Sequence, residues 1–384
     1  MDTNIVCFKD WFKGDGIELN WDYINSIPEF NGLKRCMQTP KWHQEGDAWQ
    51  HTHRCVDIAC EYAKTLTYWS TERRRCLLMA VLLHDIGKIN TTEFKKGDWH
   101  SYGHEITGER IARGLLWDEP FEDRECVCSL IRFHMERCGL NRTANPLNKI
   151  IRTSYDVDMD MLYYVMMCDI DGSIPEDKST IETDKNIVET MSHFSRQGYY
   201  ATIDSVYGVN QEQLTGNLFA ERPLWGDFSE LPHIYVMIGL PGAGKDTFIK
   251  ETFEGDPVVI CRDDIRVSLG YCKEGEKIVG TREQEERVTE IFNDRLKEAA
   301  SEGNTIIINN INLKKKYRDG YKKIVPRNKY RWIYEYIEAP SLSDNIQRRE
   351  HQIGSDIFYK MILDFDFPRH DEYDELIIQK QNNV

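Results

Sequence analysis

The sequence has no CxxC pair and no apolar run long enough to cross a bilayer, and no signal peptide is expected. Its 11 cysteines are therefore read as free thiols of a reduced, cytoplasmic protein, not as a disulfide scaffold. The opening residues, MDTNIVCFKDWFKGDG, lack a basic start followed by an apolar core. The longest apolar stretch, near Leu77–Leu83, falls far short of the ~20 residues a membrane helix needs, and no membrane association is expected. An excess of basic residues is also missing: 49 Lys and Arg stand against 64 Asp and Glu, a net charge of −15. That excludes a protein that coats nucleic acid by bulk charge, but not an enzyme with a local basic groove. There is no internal repeat and no low-complexity tract. What remains is an ordinary globular mixture, 40% hydrophobic over 384 residues, long enough for two or three domains.

Two textures divide the chain. Seven of the 11 histidines lie between His43 and His134, in a region with little Val-Ile-Thr alternation. Glu72–Leu83, Ile106–Leu116 and Glu125–Cys138 read as helices there. Residues 1–200 are expected to form an all-α bundle. Residues 201–232 are rich in Gly, Pro, Asn and polar side chains without a period and read as a linker, with Trp225 and Phe228 docking it on one domain. Residues 233–384 alternate short apolar runs (IYVMIG, VVICRD, TIIINNIN, YRWIYEYIE) with charged helical stretches such as Thr281–Ser301. That alternation implies an α/β domain with a parallel sheet.

The first run leads into Gly239-Leu240-Pro241-Gly242-Ala243-Gly244-Lys245-Asp246-Thr247 and then a helical segment, the context a phosphate-binding loop requires. Glycines let backbone N–H groups curl round a polyphosphate, the helix N-terminus adds partial positive charge, and Lys245 reaches the β and γ oxygens. All nine residues are expected to contact a nucleoside triphosphate, ATP or another NTP, bound with Mg²⁺. Asp246 stands where the pattern has Ser or Thr, so a carboxylate takes the place of the usual metal-contacting hydroxyl. The next strand runs into Arg262-Asp263-Asp264-Ile265-Arg266. A carboxylate at the end of a neighbouring strand faces the γ-phosphate and can accept the proton of an attacking hydroxyl, and an arginine three residues on can neutralise the phosphate in transfer. The alternative is that Asp263 or Asp264 caps a helix beginning near Ile265.

These residues resemble the 5′-hydroxyl polynucleotide kinases, whose P-loop is followed by RDDxR, by a strand ending in (D)TNL, and by an RNxxR-type lid. The corresponding residues are Arg262–Arg266, Asn310-Ile311-Asn312-Leu313 after the strand Thr305–Ile308, and Asn345-Ile346-Gln347-Arg348. The resemblance implies that Asp263 is the general base, that Arg266 contacts the scissile phosphate or the acceptor end, and that Arg348 is the lid arginine on the donor phosphates. Asn310 replaces the aspartate that orients the arginine in that family, and Arg349 leaves the lid assignment open by one residue.

The first half carries WQHT (Trp49–Thr52), LLHDIGK (Leu82–Lys88), GHEITGE (Gly103–Glu109), RFH (Arg132–His134) and CDIDG (Cys168–Gly172). Adjacent His84 and Asp85 ending an apolar helix need a partner for a buried charge, and a divalent cation supplies one. His51 and Asp169 would complete a first ion with them, and His104 and His134 would hold a second. Imidazole and carboxylate ligands suit Mn, Fe, Co, Ni or Zn. Two ions about 3.5–4 Å apart clamp a phosphate and activate a bridging water, so the reaction class is metal-dependent phosphoester hydrolysis. His43 and His53 are rivals for His51, His100 is a rival for His104, and Lys88 fits either a phosphate contact or a solvated helix end. The set resembles the HD phosphohydrolase superfamily, pattern H…HD…H…H…D.

Together the halves resemble the HD-domain polynucleotide kinases, bifunctional RNA end-healing enzymes. That resemblance implies hydrolysis of 2′,3′-cyclic phosphate and 3′-phosphate ends by the first domain and phosphorylation of 5′-OH ends by the second. The implied partners are RNA or DNA ends and a ligase acting on the healed ends. A nucleotidase fused to a small-molecule or nucleoside kinase is the alternative, and the acidic charge balance favours it.

Overall fold

The computed structural model describes residues 8–140, 142–196, 231–273, 280–339, 341–349 and 353–380. The chain divides into two compact units, Met1–Leu218 and Phe219–Val384. The linker expected at 201–232, apart from its last two residues, lies outside the described residues, as do Trp225 and Phe228.

The first unit contains α1 (Trp21–Ser26), α2 (Pro28–Leu33), α3 (Ala48–Thr65), α4 (Thr71–Leu83), the single turn α5 (Lys88–Thr91), strands β1 (Glu93–Lys95) and β2 (Asp98–His100), α6 (His104–Leu115), α7 (Phe121–Phe133), α8 (Glu136–Leu140), α9 (Pro146–Ser154), α10 (Met159–Gly172) and α11 (Ser179–Arg196). Helix α4 is its axis and packs against α3, α7 and α10. Every residue from Leu77 to Leu83 is at most 1% exposed. A helix that is apolar all round belongs in a core, and each such Leu or Val side chain contributes about 1.5–3 kcal/mol by burial. Ser70 starts α4 by accepting from the Arg73 N–H. Arg75 is buried rather than solvated: its guanidinium donates to the carbonyls of Gly14 and Gly16 and lies over the Phe12 ring.

Two glycines set how closely these helices meet. A Cβ at Gly172 would lie 2.3 Å from Cys55 Sγ, so α10 presses directly on α3. A Cβ at Gly87 would lie 2.0 Å from the His104 carbonyl oxygen, so the chain leaving α4 runs against the start of α6.

Strands β1 and β2 depart from the all-helical expectation. They pair antiparallel with Lys95 opposite Asp98. Lys96 (φ 55°) and Gly97 (φ 84°) form the intervening turn. Two positive φ values match the twist of a tight hairpin. The sequence cue is weak because lysine takes the place usually held by Asn or Asp.

The second unit contains β3 (His233–Ile238), α12 (Lys245–Thr252), β4 (Val258–Ile260), α13 (Arg262–Ser268), α14 (Arg282–Ser301), β5 (Ile306–Asn309), α15 (Lys315–Lys322), β6 (Arg331–Glu338), α16 (Leu342–Arg349), α17 (Ser355–Leu363) and β7 (Glu375–Lys380). The sheet is parallel with strand order β4-β5-β3-β6-β7. One expectation is corrected here. The strand leading to Asp263 is not the neighbour of the P-loop strand, because β5 lies between them. Strand order follows from crossover lengths and packing, which an isolated motif does not encode. A further correction concerns the helix cap: Asp263 and Asp264 lie inside the first turn of α13, and Cys261 is the cap residue. Strand β7 is an addition to the elements read from the sequence.

The C-terminal part of the sheet is fastened by Arg318, fully buried with Glu372. Its guanidinium donates to both Glu372 carboxylate oxygens and to the carbonyls of Asn312, Leu313 and Asp366. No helix among the described residues is long and apolar enough to cross a membrane.

Candidate active sites

In the first unit the six side chains expected to hold metal converge. α3 brings His51, the end of α4 brings His84 and Asp85, the start of α6 brings His104, the end of α7 brings His134, and α10 brings Asp169. All six are buried. His51 Nε2 lies 2.9 Å from Asp169 Oδ1 and 3.9 Å from Asp85 Oδ2. His84 Nε2 lies 3.4 Å from Asp85 Oδ2 and 3.7 Å from Asp169 Oδ1. Asp85 turns its other oxygen to His104 Nε2 at 3.4 Å. Asp85 thus stands between the two groups: His51, His84 and Asp169 on one side, His104 and His134 on the other.

The rivals lie elsewhere. His53 stacks on Trp21 at 4.6 Å and meets Trp49 edge-on. His100 stacks on Tyr102. His43 is one bond removed: Glu45 Oε1 accepts from both His43 Nδ1 and His51 Nδ1, at 2.8 Å each.

The tautomers follow from the backbone. His84, His104 and His134 each donate Nδ1–H to a carbonyl three residues earlier, those of Val81, Ser101 and Ile131. Each therefore presents a bare Nε2 to the interior. His84 Nε2 is buried with no hydrogen-bond partner. His104 and His134 point Nε2 at Nε2, 3.1 Å apart. Burial lowers the pKa of both, and for His134 the nearby His104 and His84 add to the decrease. Imidazole Nε2 atoms that converge with carboxylate oxygens, their outer nitrogens oriented by carbonyls, make a donor set that could hold divalent cations. Burial alone would raise the pKa of Asp85, but Lys88 and the histidines hold it well below the usual carboxylate range. For Asp169, Arg137 and His51 likewise outweigh burial.

Four neighbours were absent from the sequence reading or left open in it. Glu45 orients His51 and accepts from the Ile174 N–H. Arg137 Nη2 lies 2.8 Å from Asp169 Oδ2. Lys88 Nζ donates to Asp85 Oδ2 at 2.7 Å, so it is a buried partner and not a solvated helix end. Cys55 Sγ lies 3.4 Å from His51 Nε2. Burial raises the pKa of the Cys55 thiol despite the nearby His51, and its sulfur lies within 4.8 Å of the ligand atoms of His51, His84 and Asp169, so it could join them around a cation. Glu45 lies inside the WHQEGDAWQHT segment, three residues after Trp42 and six before His51, but nothing in its spacing marks it. Arg137 lies three residues after His134, in α8.

In the second unit the loop 239–244 turns through positive φ at Gly239, Gly242 and Gly244. A Cβ at Gly239 would lie 2.7 Å from the Ile337 carbonyl oxygen, so only glycine fits there. Lys245 Nζ folds back onto the loop and donates to the Gly239 and Leu240 carbonyls at 2.9 Å each. Burial lowers its pKa to about 8, against the pull of Asp246 and with Arg349 adding to the decrease. Asp246 Oδ1 accepts from Asn309 Nδ2 at 2.7 Å, at the end of the adjacent strand β5, while Thr247 is exposed. Leu240 and Ala243 are buried beneath the loop, and Pro241 is half-buried on it.

Asp263 Oδ1 accepts from Arg266 Nη1 at 2.5 Å across one turn of α13. Arg266 is clamped by Glu285 of α14, whose two oxygens accept from Nε and Nη2 at 2.8 Å each. The Arg266 bond holds the Glu285 carboxyl down at about 2. Glu285 thus does the orienting work expected of position 310. Asn310 instead accepts from the Arg262 backbone N–H. From α16, Arg348 Nη1 reaches the Gly242 carbonyl at 3.4 Å, and Arg349 packs its stem at the same glycine.

Residues 48–160 match the HD domain family and residues 234–361 match the AAA domain family. The chain carries an HD domain and an AAA domain. The HD domain match covers five of the six converging side chains, and Asp169 follows it on α10. The AAA domain, a P-loop kinase-like unit, takes in the loop, Asp263, Arg266 and α16. No curated protein matches the sequence. A solved structure, a gluconokinase from Sinorhizobium meliloti 1021, is 18% identical with a TM-score of 0.29, over 40% of this chain and 85% of its own. So loose a likeness bears on neither domain's substrate.

Proposed function

We propose that the chain is a bifunctional nucleic-acid end-healing enzyme. The HD domain hydrolyses 2′,3′-cyclic phosphate and 3′-phosphate ends, and the AAA domain transfers a phosphate from an NTP to a 5′-OH end. The observation that carries the kinase half is the pair Asp263–Arg266: its carboxylate is bonded at 2.5 Å to a clamped guanidinium while its side chain remains 65% exposed. A base so open to solvent suits the end of a polymer better than an enclosed metabolite. Asp263 takes the proton of the attacking hydroxyl. Arg266, fixed by Glu285, neutralises the phosphate in transfer. Lys245 exchanges its two loop carbonyls for the β and γ oxygens of the donor, and Arg348 approaches from α16.

In the HD domain, divalent cations supply Lewis acidity and a nucleophile at neutral pH. His51, His84, Asp85 and Asp169 would hold one ion, and His104 and His134, with the outer oxygen of Asp85, the other. Glu45 and the three carbonyls keep the imidazoles in the ligating tautomer. Lys88 and Arg137 balance the two carboxylates and stand ready to offset the charge of a phosphate.

The net charge of −15 favours a second reading, a nucleotidase fused to a small-molecule kinase. One experiment separates them. The chain is given γ-labelled ATP, Mg²⁺ and Mn²⁺ with a mixture of mononucleosides and an oligoribonucleotide bearing a 5′-OH and a 2′,3′-cyclic phosphate. Label on the oligomer and loss of its cyclic phosphate are expected. Label passing only to mononucleosides overturns end healing.

A further inference from the structure

We infer that residues 37–42 and 94–102 of the first unit form a stacking platform for the nucleobases of a single-stranded nucleic acid whose 3′ end lies in the histidine–aspartate cluster. This deepens the end-healing reading and rests on it. Five large apolar side chains of this unit are exposed among the described residues: Met37, Trp42, Tyr68, Phe94 and Tyr102. All but Tyr68 fall in these two segments. Large apolar side chains left in water at one place mark a binding surface more often than scattered ones do.

The segments belong together and to the cluster. Thr39 Oγ1 donates to Asp98 Oδ2 at 2.9 Å, joining one to the other. Gln38 accepts from Lys88, which holds Asp85. The Ser101 carbonyl accepts from His104 Nδ1, one residue before Tyr102. The ring-bearing segments are thus joined to each other, and Gln38 and Ser101, next in the chain to Met37 and Tyr102, bond to residues of the cluster or their partners.

Their geometry suits flat partners. Tyr102, 77% exposed, already stacks on His100 at 5.2 Å with an interplanar angle of 11°. Phe94 meets Trp99 edge-on at 5.1 Å across the hairpin. Lys41 Nζ sits 5.0 Å from the centre of the Trp42 ring. The charge is complementary to a phosphate backbone. In a chain of net charge −15, Lys34, Arg35, Lys41, Lys95 and Lys96 are exposed in or beside these segments, against the nearby acids Glu93, Asp98, Asp47 and Glu105. Aromatic faces interleaved with cations are how single strands are held without sequence readout.

The test uses the full chain and two fluorescent probes of equal length ending in 3′-phosphate, one with bases and one abasic. Binding is read by anisotropy. The wild type is expected to prefer the base-bearing probe about tenfold or more, as stacking on one or two rings gives. Trp42→Ala and Tyr102→Ala should each cut that preference severalfold, and Tyr102→Phe should keep it. A preference unchanged in both alanine variants overturns the platform, as does equal binding of the two probes by the wild type, the result expected if these rings dock a protein instead. The end-healing reading fails separately: a wild type that shows the ring-dependent preference but leaves a 2′,3′-cyclic phosphate intact keeps the platform and ends that reading.

Discussion

His104 and His134 face each other through their Nε2 atoms at 3.1 Å, and each has its Nδ1 proton committed to a backbone carbonyl. Two lone pairs at that distance repel unless a cation lies against them. Divalent cations should therefore stabilise the first unit. At a hundredfold excess over Kd the gain is about 2.7 kcal/mol, seen as a rise in Tm that a chelator reverses. Metal analysis of His134→Ala should show fewer equivalents bound than in the wild type. A Tm indifferent to both metal and chelator would contradict the donor geometry.

The two chemistries should separate by mutation. Asp263→Ala should lower 5′-phosphorylation by at least ~10²-fold, as the loss of a general base does, with phosphoester hydrolysis retained. Asp85→Ala should do the reverse. Loss of both activities in either folded variant would refute the division of labour.

Glu285 carries a pH signature. Its folded value of about 2 lies below the ordinary 4.5. The stabilisation from its pair with Arg266 is thus complete above about pH 4.5 and is lost as pH falls toward 2. With the side chain 35% exposed, solvent screens the pair and its worth is at most about 1 kcal/mol. Melting curves of Glu285→Gln should show a shallower loss of stability across that window. Its kinase rate at neutral pH should fall roughly tenfold, because Arg266 loses the acceptor that orients it.

Gly87→Ala should be far more damaging than its size indicates. The added carbon would lie 2.0 Å from the His104 carbonyl and 2.5 Å from the Gly108 nitrogen. Both are backbone atoms that cannot rotate away, so α6 must move and take His104 with it. The expected loss is about 2–4 kcal/mol, measured by denaturant titration, with weakened metal binding.

The residues that the structure brings together were legible because each sits in a short motif whose types are unusual for their position. Examples are His84-Asp85 closing an apolar helix and the glycines before Lys245. The supporting residues were not. Glu45, Arg137 and Glu285 are charged residues among many, and only the tertiary fold brings Glu285 to Arg266 from α14. Strand order was equally hidden: the sequence holds β4 and β5 in succession, and nothing local says that the later one inserts beside β3. The hairpin at 93–100 escaped because Lys-Gly is a poor turn signal. Yet that hairpin leads directly into His104.

Arg318 has a consequence for how the second unit can be cut. All five of its guanidinium protons are engaged, three bonds running to carbonyls and two to Glu372. A truncation ahead of residue 364 would discard the Asp366 and Glu372 acceptors along with β7. It would leave the guanidinium without its carboxylate partner, held only by the Asn312 and Leu313 carbonyls, beside the Asn312 turn that bonds the Met237 carbonyl just before the nucleotide loop. Trimming that far from the phosphates would therefore be felt at them.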